Sequence, residues 1–311
     1  MVVFMPNPNE IKAVPSGLFA LEEDYRFLGS GKEKQVYEFT STKVGINPQP
    51  GREKDLRKEY EKVERIYNSL PEERKEQQKN LALDMMEVKK GKFHYAAAKC
   101  EKDLTDLLSE EIKLDAAYQL GSDILTGMAD LHEAGFVHGD MKSDNIFLYK
   151  KGSTLLAKVG DFGKAQRLGE AEQTVMLGNA AHSPPEQRLS RASDVYGTGL
   201  LLIRLLEAGL EIPSEERIEN ILPKKTDAFT IFSRVIATAT SGKISTVSRE
   251  AEIHLRIGQL NVLENMKKLL KEMTSDNPAQ RPTMAEALER YKALEKHIID
   301  SNSSSDEDLI F

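Results

Sequence analysis

The sequence predicts an α+β chain in two lobes, a small sheet-rich N-lobe followed by a larger helical C-lobe. Two observations predict it. Through the first hundred residues, short runs of β-branched and aromatic residues sit between turn residues, with one charged helix among them. Past Glu101 the apolar positions recur at spacings of three and four instead. The reading divides the chain into a 1–20 extension, an N-lobe over 21–98, a C-lobe over 99–298 and a disordered, acidic, Ser-rich tail over 299–311.

The elements follow in order. Pro6, Pro8 and Pro15 interrupt any regular structure in the extension. Val36, Tyr37 and Phe39 form a strand, Thr40–Thr42 turns, and Val44 and Ile46 alternate beyond it. Leu56, Tyr60, Val63, Ile66 or Tyr67, and Leu70 lay one apolar stripe on a charged helix over 52–70, which Pro71 ends. Leu81–Val88 and Phe93–Ala98 read as two strands around a Lys-Lys-Gly turn. Leu120, Ile124, Met128 and Leu131 mark an amphipathic helix that Gly135 terminates in a left-handed conformation. Asp194–Leu206 is apolar nearly all round, as a helix in the middle of a lobe must be. Further helices fall at 262–273 and 283–297, and no internal repeat is visible.

Composition bounds the function. At 311 residues, with 40% hydrophobic and 30% charged residues, the chain has the make-up of a soluble globular protein with a sizeable core. A net charge of −7 argues against binding nucleic acid through bulk electrostatics. The single cysteine, Cys100, rules out an internal disulfide framework and a multi-cysteine zinc site. The N-terminal MVVFMPNPNE has neither a basic region nor a long apolar run, so it makes a poor signal peptide. The most apolar stretch, 195–210, is short and carries Arg204 and Glu207, so no membrane span is expected. The expectation is a cytoplasmic protein, with delivery into another cell left open; the sequence leaves the oligomeric state open too.

The chemistry lies in His138-Gly139-Asp140-Met141-Lys142-Ser143-Asp144-Asn145, followed 21 residues after Asp140 by Asp161-Phe162-Gly163. Moving a phosphoryl group needs a carboxylate to orient the attacking hydroxyl, a second carboxylate and an amide oxygen to hold magnesium, and a cation near the transferred group. Asp140, Asp161, Asn145 and Lys142 supply these types. The arrangement resembles the catalytic and metal-binding loops of eukaryotic-type protein kinases. Lys142, two residues after the aspartate, resembles the serine/threonine branch.

The resemblance extends over about residues 21–298. Leu28-Gly29-Ser30-Gly31-Lys32-Glu33-Lys34-Gln35-Val36-Tyr37 is similar to the kinase glycine-rich loop, in which glycines let backbone amides approach phosphates. The third glycine of that pattern is replaced by Lys34. The best match to the family's third-strand Val-Ala-Ile-Lys is Val44-Gly45-Ile46-Asn47, and Asn47 brings no charge. One reading is a non-catalytic kinase. The other is the arrangement of the with-no-lysine kinases, in which the third-glycine position supplies the cation; Lys34 stands there, and the alternatives are that Lys43 serves or that nothing does. Glu59 is the best candidate for the helix glutamate, with Glu61 and Glu64 as alternatives, and Phe147 occupies the place of the adenine-pocket floor.

Further along, Gly178–Glu186 resembles the stretch ending in Ala-Pro-Glu. Asp194-Val195-Tyr196-Gly197 resembles the start of the central helix, whose aspartate braces the catalytic loop. Arg281, in a late Arg-Pro motif, would pair with Glu186. Gly139 replaces the arginine that usually receives an activation-loop phosphate, so Thr174 should be dispensable for basal activity. Asn179 replaces the usual threonine of the substrate loop. Cys100 falls near the hinge between the lobes, where a lone buried cysteine with no role is the plainer reading, and the tail serines before Asp306-Glu307-Asp308 resemble acidophilic kinase sites or equally a solubilising tail.

The resemblance implies a serine/threonine protein kinase using ATP with magnesium, manganese being the alternative ion. Its partner would be a protein carrying a Ser or Thr acceptor. Asp140 and Lys142 would be catalytic, Asn145 and Asp161 would hold the metal, and Gly29, Gly31, Lys34, Val36, Glu59 and Phe147 would bind the nucleotide. Two other functions stand beside it. A pseudokinase scaffold is favoured by Asn47 and the lost glycine. A small-molecule phosphotransferase is suggested by His-Gly-Asp, which aminoglycoside and choline phosphotransferases also carry.

Overall fold

The computed structural model describes residues 27–30, 34–38, 41–90, 92–110, 112–171, 184–209 and 264–294. A five-stranded antiparallel sheet forms the first lobe, in the order β1-β2-β3-β5-β4. Its strands are β1 (Phe27–Ser30), β2 (Lys34–Glu38), β3 (Lys43–Pro48), β4 (Met85–Lys90) and β5 (Lys92–Ala98). Helix α1 (Glu53–Ser69) packs on one face: Leu56 meets Val44, Ile46 and Tyr95, with Val36 and Tyr60 beside them. The expected stripe is the buried one, Leu56, Val63, Ile66 and Leu70 all being nearly inaccessible. Pro71 ends α1 as predicted, but a short α2 (Glu72–Gln77) follows it, an element the sequence did not signal.

The strand expected at Leu81 begins at Met85 instead. Leu81 turns away from the first lobe and bridges Val159 in parallel. The Ala82 N–H donates to the Val159 oxygen (2.7 Å), the Val159 N–H to the Asn80 oxygen (2.8 Å), and Asn80 Nδ2 to the Ala157 oxygen (3.0 Å). The buried Lys158 ammonium adds an ion pair to Asp84 at 3.1 Å. On the other side, the chain crosses between lobes just past Ala98, and the Glu101 N–H donates to the Leu148 oxygen (2.8 Å).

The second lobe is built on α4 (Leu114–Glu133), which packs against α6 (Arg191–Gly209). Gly135 ends α4 at φ +83°, the left-handed terminator expected of it. Helices α7 (264–273) and α8 (284–294) close the core, with Met266, Leu269, Met284 and Tyr291 fully buried. The lobe is less purely helical than predicted. β6 (Lys102–Asp103), β8 (Ile146–Lys151) and β9 (Thr154–Val159) make a three-stranded sheet, and β7 (Phe136–Val137) pairs with β10 (Gln166–Arg167). Two short helices, α3 (Leu104–Leu108) and α5 (Leu168–Ala171), complete the described elements. Ile146, Leu148, Ala157 and Val159 bury one face of the β8–β9 hairpin against the core. A sheet-rich lobe followed by a mainly helical one is the two-lobed arrangement that the sequence resemblance implies.

Candidate active site

Three segments meet where the lobes face each other: β2 with α1 from the first lobe, the loop 138–145, and the loop 161–164. Together they line a cavity of about 770 Å³ that includes Lys34, Glu59, Lys62, Asp140, Lys142, Asp161 and Lys164.

Helix α1 contributes Glu59, which is 4% exposed although charged. Lys34 on β2 reaches it: Nζ lies 2.9 Å from Glu59 Oε1 and 3.9 Å from Asp161 Oδ1. The Tyr95 hydroxyl stands 3.3 Å from the same glutamate oxygen, and burial together with that carboxylate pushes the phenol well above its ordinary pKa. Glu61 and Glu64, the alternatives to Glu59, are not the partners of Lys34.

Strand pleat shows why β3 offers Glu59 no cation: its one lysine, Lys43, shares the face of Gly45 and Asn47. Lys34 is registered opposite Pro48, and Gln35 opposite Asn47. The buried positions of β3 are Val44, Ile46 and Pro48, so Asn47 and Gly45 lie on the other face. Asn47, aligned by motif with the family's lysine, is therefore turned away from Lys34 and Glu59, and the β3 position facing them is a proline.

The 138–145 loop is held from beneath by Asp194, at the start of α6. Its carboxylate accepts the backbone N–H groups of His138 (2.7 Å) and Gly139 (2.9 Å), and His132 Nε2 lies 2.9 Å away. This is the brace that the sequence places at Asp194. The His138 ring lies inside, with Nδ1 accepting the Asp140 N–H (3.2 Å) and Nε2 facing the Gly160 oxygen (2.9 Å). A neutral imidazole protonated at Nε2 satisfies both. Phe162, fully buried, packs 5.5 Å from that ring.

Asp140 is left partly exposed with three neighbours: Lys164 Nζ at 2.8 Å, Asn145 Nδ2 at 3.4 Å and Lys142 Nζ at 3.9 Å. Asn145 Nδ2 also donates to the Asp140 backbone oxygen (2.7 Å), which leaves Asn145 Oδ1 as the amide's acceptor. Asp161 takes the left-handed conformation (φ +56°), which aspartate tolerates better than most residues. Phe147, on β8, lies over Gly160: a methyl group there would sit 2.4 Å from the ring. Gly29 on β1 pairs with Val36 on β2. Gly31, Thr174, Asn179, Ser183 and the tail lie outside the described residues.

The late pairing is also in place. Arg281 grips Glu186 through two nitrogens at 2.7 and 2.9 Å, over the Tyr196 ring. Among proteins of known family, the protein kinase domain matches residues 24–291, most of the chain. The chain belongs to that family. This kinase domain is 27% identical over 198 residues to the rice LRR receptor-like serine/threonine-protein kinase SIK1, covering 59% of this chain and 18% of that protein. It is 40% identical over 90 residues to the serine/threonine-protein kinase PknL of Mycobacterium tuberculosis, covering 27% and 22%. Over 107 residues it is 32% identical to a putative inactive receptor-like protein kinase of Arabidopsis thaliana, covering 33% and 18%. The chain thus spans about a fifth of the length of these relatives. Among the described residues no helix is long and apolar enough to cross a membrane.

Three lysines of the kinase domain's cavity, Lys58, Lys62 and Lys164, escaped the sequence reading. Lys164 follows the metal loop and bonds Asp140; only that adjacency signalled it. Lys62, three residues after Glu59, donates to the Gly163 oxygen (2.5 Å) and ties α1 to the metal loop; burial lowers its pKa. Among the described residues no group of three or more His, Cys, Asp or Glu side chains surrounds a metal position. The Asp161 carboxylate and Asn145 Oδ1 are instead a sparse, oxygen-only pair, which suits magnesium shared with phosphate oxygens.

Proposed function

We propose that this kinase domain transfers the γ-phosphate of Mg-ATP to serine or threonine hydroxyls of proteins, with Lys34 serving in place of a third-strand lysine. The observation that carries the reading is the Lys34 ammonium 2.9 Å from buried Glu59 and 3.9 Å from Asp161. That links the helix glutamate to the metal loop through a cation from β2, and β3 has only Pro48 facing the place.

Asp140 orients the acceptor hydroxyl and takes its proton as the oxygen attacks the γ-phosphorus. For that, the Lys164 ammonium now on Asp140 must give way, which its 58% exposed side chain permits. The bond to the β-phosphate breaks and ADP leaves. Lys142, beside Asp140, offsets charge on the transferring group, and Lys34 holds the phosphates. Asn145 and Asp161 hold magnesium, which neutralises phosphate charge when bound. Gly29 and Gly31 let the loop approach the phosphates, and Val36 and Phe147 give the adenine its apolar walls.

A second reading has support from the lost third glycine and from a relative named inactive: a pseudokinase that binds nucleotide and acts through partners. A phosphorylation assay with labelled ATP, magnesium and generic protein substrates separates the two. The kinase reading expects transfer by wild type and Asn47→Ala, and none by Asp161→Ala or Lys34→Met. No transfer by wild type, with magnesium or manganese, overturns it in favour of the pseudokinase.

A further inference from the structure

Helix α1 lines the cavity with Lys58, Lys62 and Arg65, at i, i+4 and i+7, so the three share one stripe of the helix. Every carboxylate lining that cavity already faces a cation, Glu59 and Asp161 sharing one. Asp55 is paired with Arg52 (3.0 Å) and Glu61 with Arg57 (3.8 Å), both from outside the cavity. Glu59 and Asp161 face Lys34, and Asp140 bonds Lys164. Among the described residues, Lys58, Lys62 and Arg65 form no ion pair, and the one bond of Lys62 runs to a neutral carbonyl. Three cations without an ion-pair partner among the described residues therefore line a cavity shared with Asp140, on a protein whose net charge is −7. Such a patch concentrates anions from solution while the rest of the surface repels them.

We propose that this kinase domain selects acidic acceptor segments, whose carboxylates are received by Lys58, Lys62 and Arg65 beside the reacting aspartate. The proposal rests on the protein-kinase reading above and adds its substrate class. A carboxylate reaching Lys62 adds to the pull of Glu59 against the burial that disfavours this cation. The chain itself carries a segment of the right chemistry, Ser303-Ser304-Ser305 followed by Asp306-Glu307-Asp308.

The test uses the full chain and two peptides: one with the sequence of residues 301–311, and one carrying Asp306→Asn, Glu307→Gln and Asp308→Asn. Wild type is expected to use the acidic peptide with kcat/KM at least tenfold higher. Lys58→Glu combined with Arg65→Glu is expected to cut that ratio tenfold or more through KM for the peptide, with KM for ATP unmoved. Lys151→Glu, on the exposed turn of the β8–β9 hairpin, controls for net charge and should keep the ratio. Equal use of both peptides, an unchanged ratio in the double variant, or an effect carried by KM for ATP overturns the proposal. Transfer to a basic protein such as histone but to neither peptide overturns it while leaving the kinase reading intact. Transfer to nothing overturns both.

Discussion

Replacing Lys34 by methionine keeps the stem of the side chain and removes its charge. Glu59, only 5% exposed at its side chain, then keeps a single close polar neighbour, the Tyr95 hydroxyl. Removing one partner of a buried pair costs about 3–5 kcal/mol because the other charge is stranded. Lys34 is 25% exposed, so solvent already weakens the pair, and about 2–3 kcal/mol is the expected loss. For a domain of this size that lowers Tm by about 4–5 °C. Adding Glu59→Gln removes the stranded charge and should restore most of the stability. Phosphoryl transfer should not follow: both the single and the double variant should fall at least a hundredfold, about 2.7 kcal/mol of transition-state stabilisation. Differential scanning fluorimetry and a labelled-ATP assay on the four members of the cycle check both halves. A Lys34→Met protein that keeps its Tm and turns over within threefold of wild type would refute the argument.

Four further expectations follow from the same coordinates. Glu186→Ala leaves the fully buried Arg281 guanidinium with only carbonyl partners and should cost about 3 kcal/mol in urea unfolding, partly recovered by adding Arg281→Met; a loss under 1 kcal/mol contradicts this. Gly160→Ala drives a methyl into the Phe147 ring and should weaken calorimetric ATP affinity about tenfold, with Phe147→Leu restoring part of it. Asp194→Asn removes the charge that holds the His138 and Gly139 amides, about 2 kcal/mol, and should lower kcat about thirtyfold with ATP affinity retained. Asp130 is pushed up to about 6 by burial, against the pull of Arg74. Between the ordinary aspartate value and pH 6 the folded state therefore holds a proton that the unfolded chain has released, so this group's contribution to stability falls as pH rises through that window. Asp130→Asn should exceed wild type by up to about 3 kcal/mol at pH 7.5 and match it near pH 4, as chemical denaturation at the two pH values would show.

The two-lobed fold was legible because its signals are local. The stripe of α1, the stop at Pro71 and the terminator at Gly135 depend on neighbours in sequence, and the structure has all three. The meeting of Lys34 with Glu59 was legible through motif position. Asn47 was misplaced by the same means: the alternation of Val44 and Ile46 already put it on the opposite face, and pleat decides where motif alignment does not. Leu81 read as a strand of the first lobe because its apolar run looks the same whichever sheet claims it; its partner, Val159, is 78 residues away. The β8–β9 hairpin was passed over for a related reason, its short apolar runs being indistinguishable in sequence from turns of buried helix. Lys62 and Lys164 stayed hidden because a lysine bonded to a distant carbonyl or carboxylate has the same local sequence as a solvated one.

The stitch between Asn80–Ala82 and Val159 has a mechanical consequence. The first lobe meets the second at this stitch, at the covalent crossing near Glu101, and through two side-chain contacts, Lys62 on Gly163 and Arg74 on Asp130. The side-chain contacts break more readily than the backbone connections, so the easiest relative motion is a swing about the line through the stitch and the crossing. Asp161, two residues past Val159, belongs to the second lobe and does not move with the first. Lys34 sits on β2, two strands out from β5 and about 10 Å from it, and sweeps an arc. Each swing thus carries the ammonium, together with Glu59 of the same lobe, towards or away from Asp161, and the width of the nucleotide's entrance and the making of the Lys34–Asp161 contact become a single coordinate.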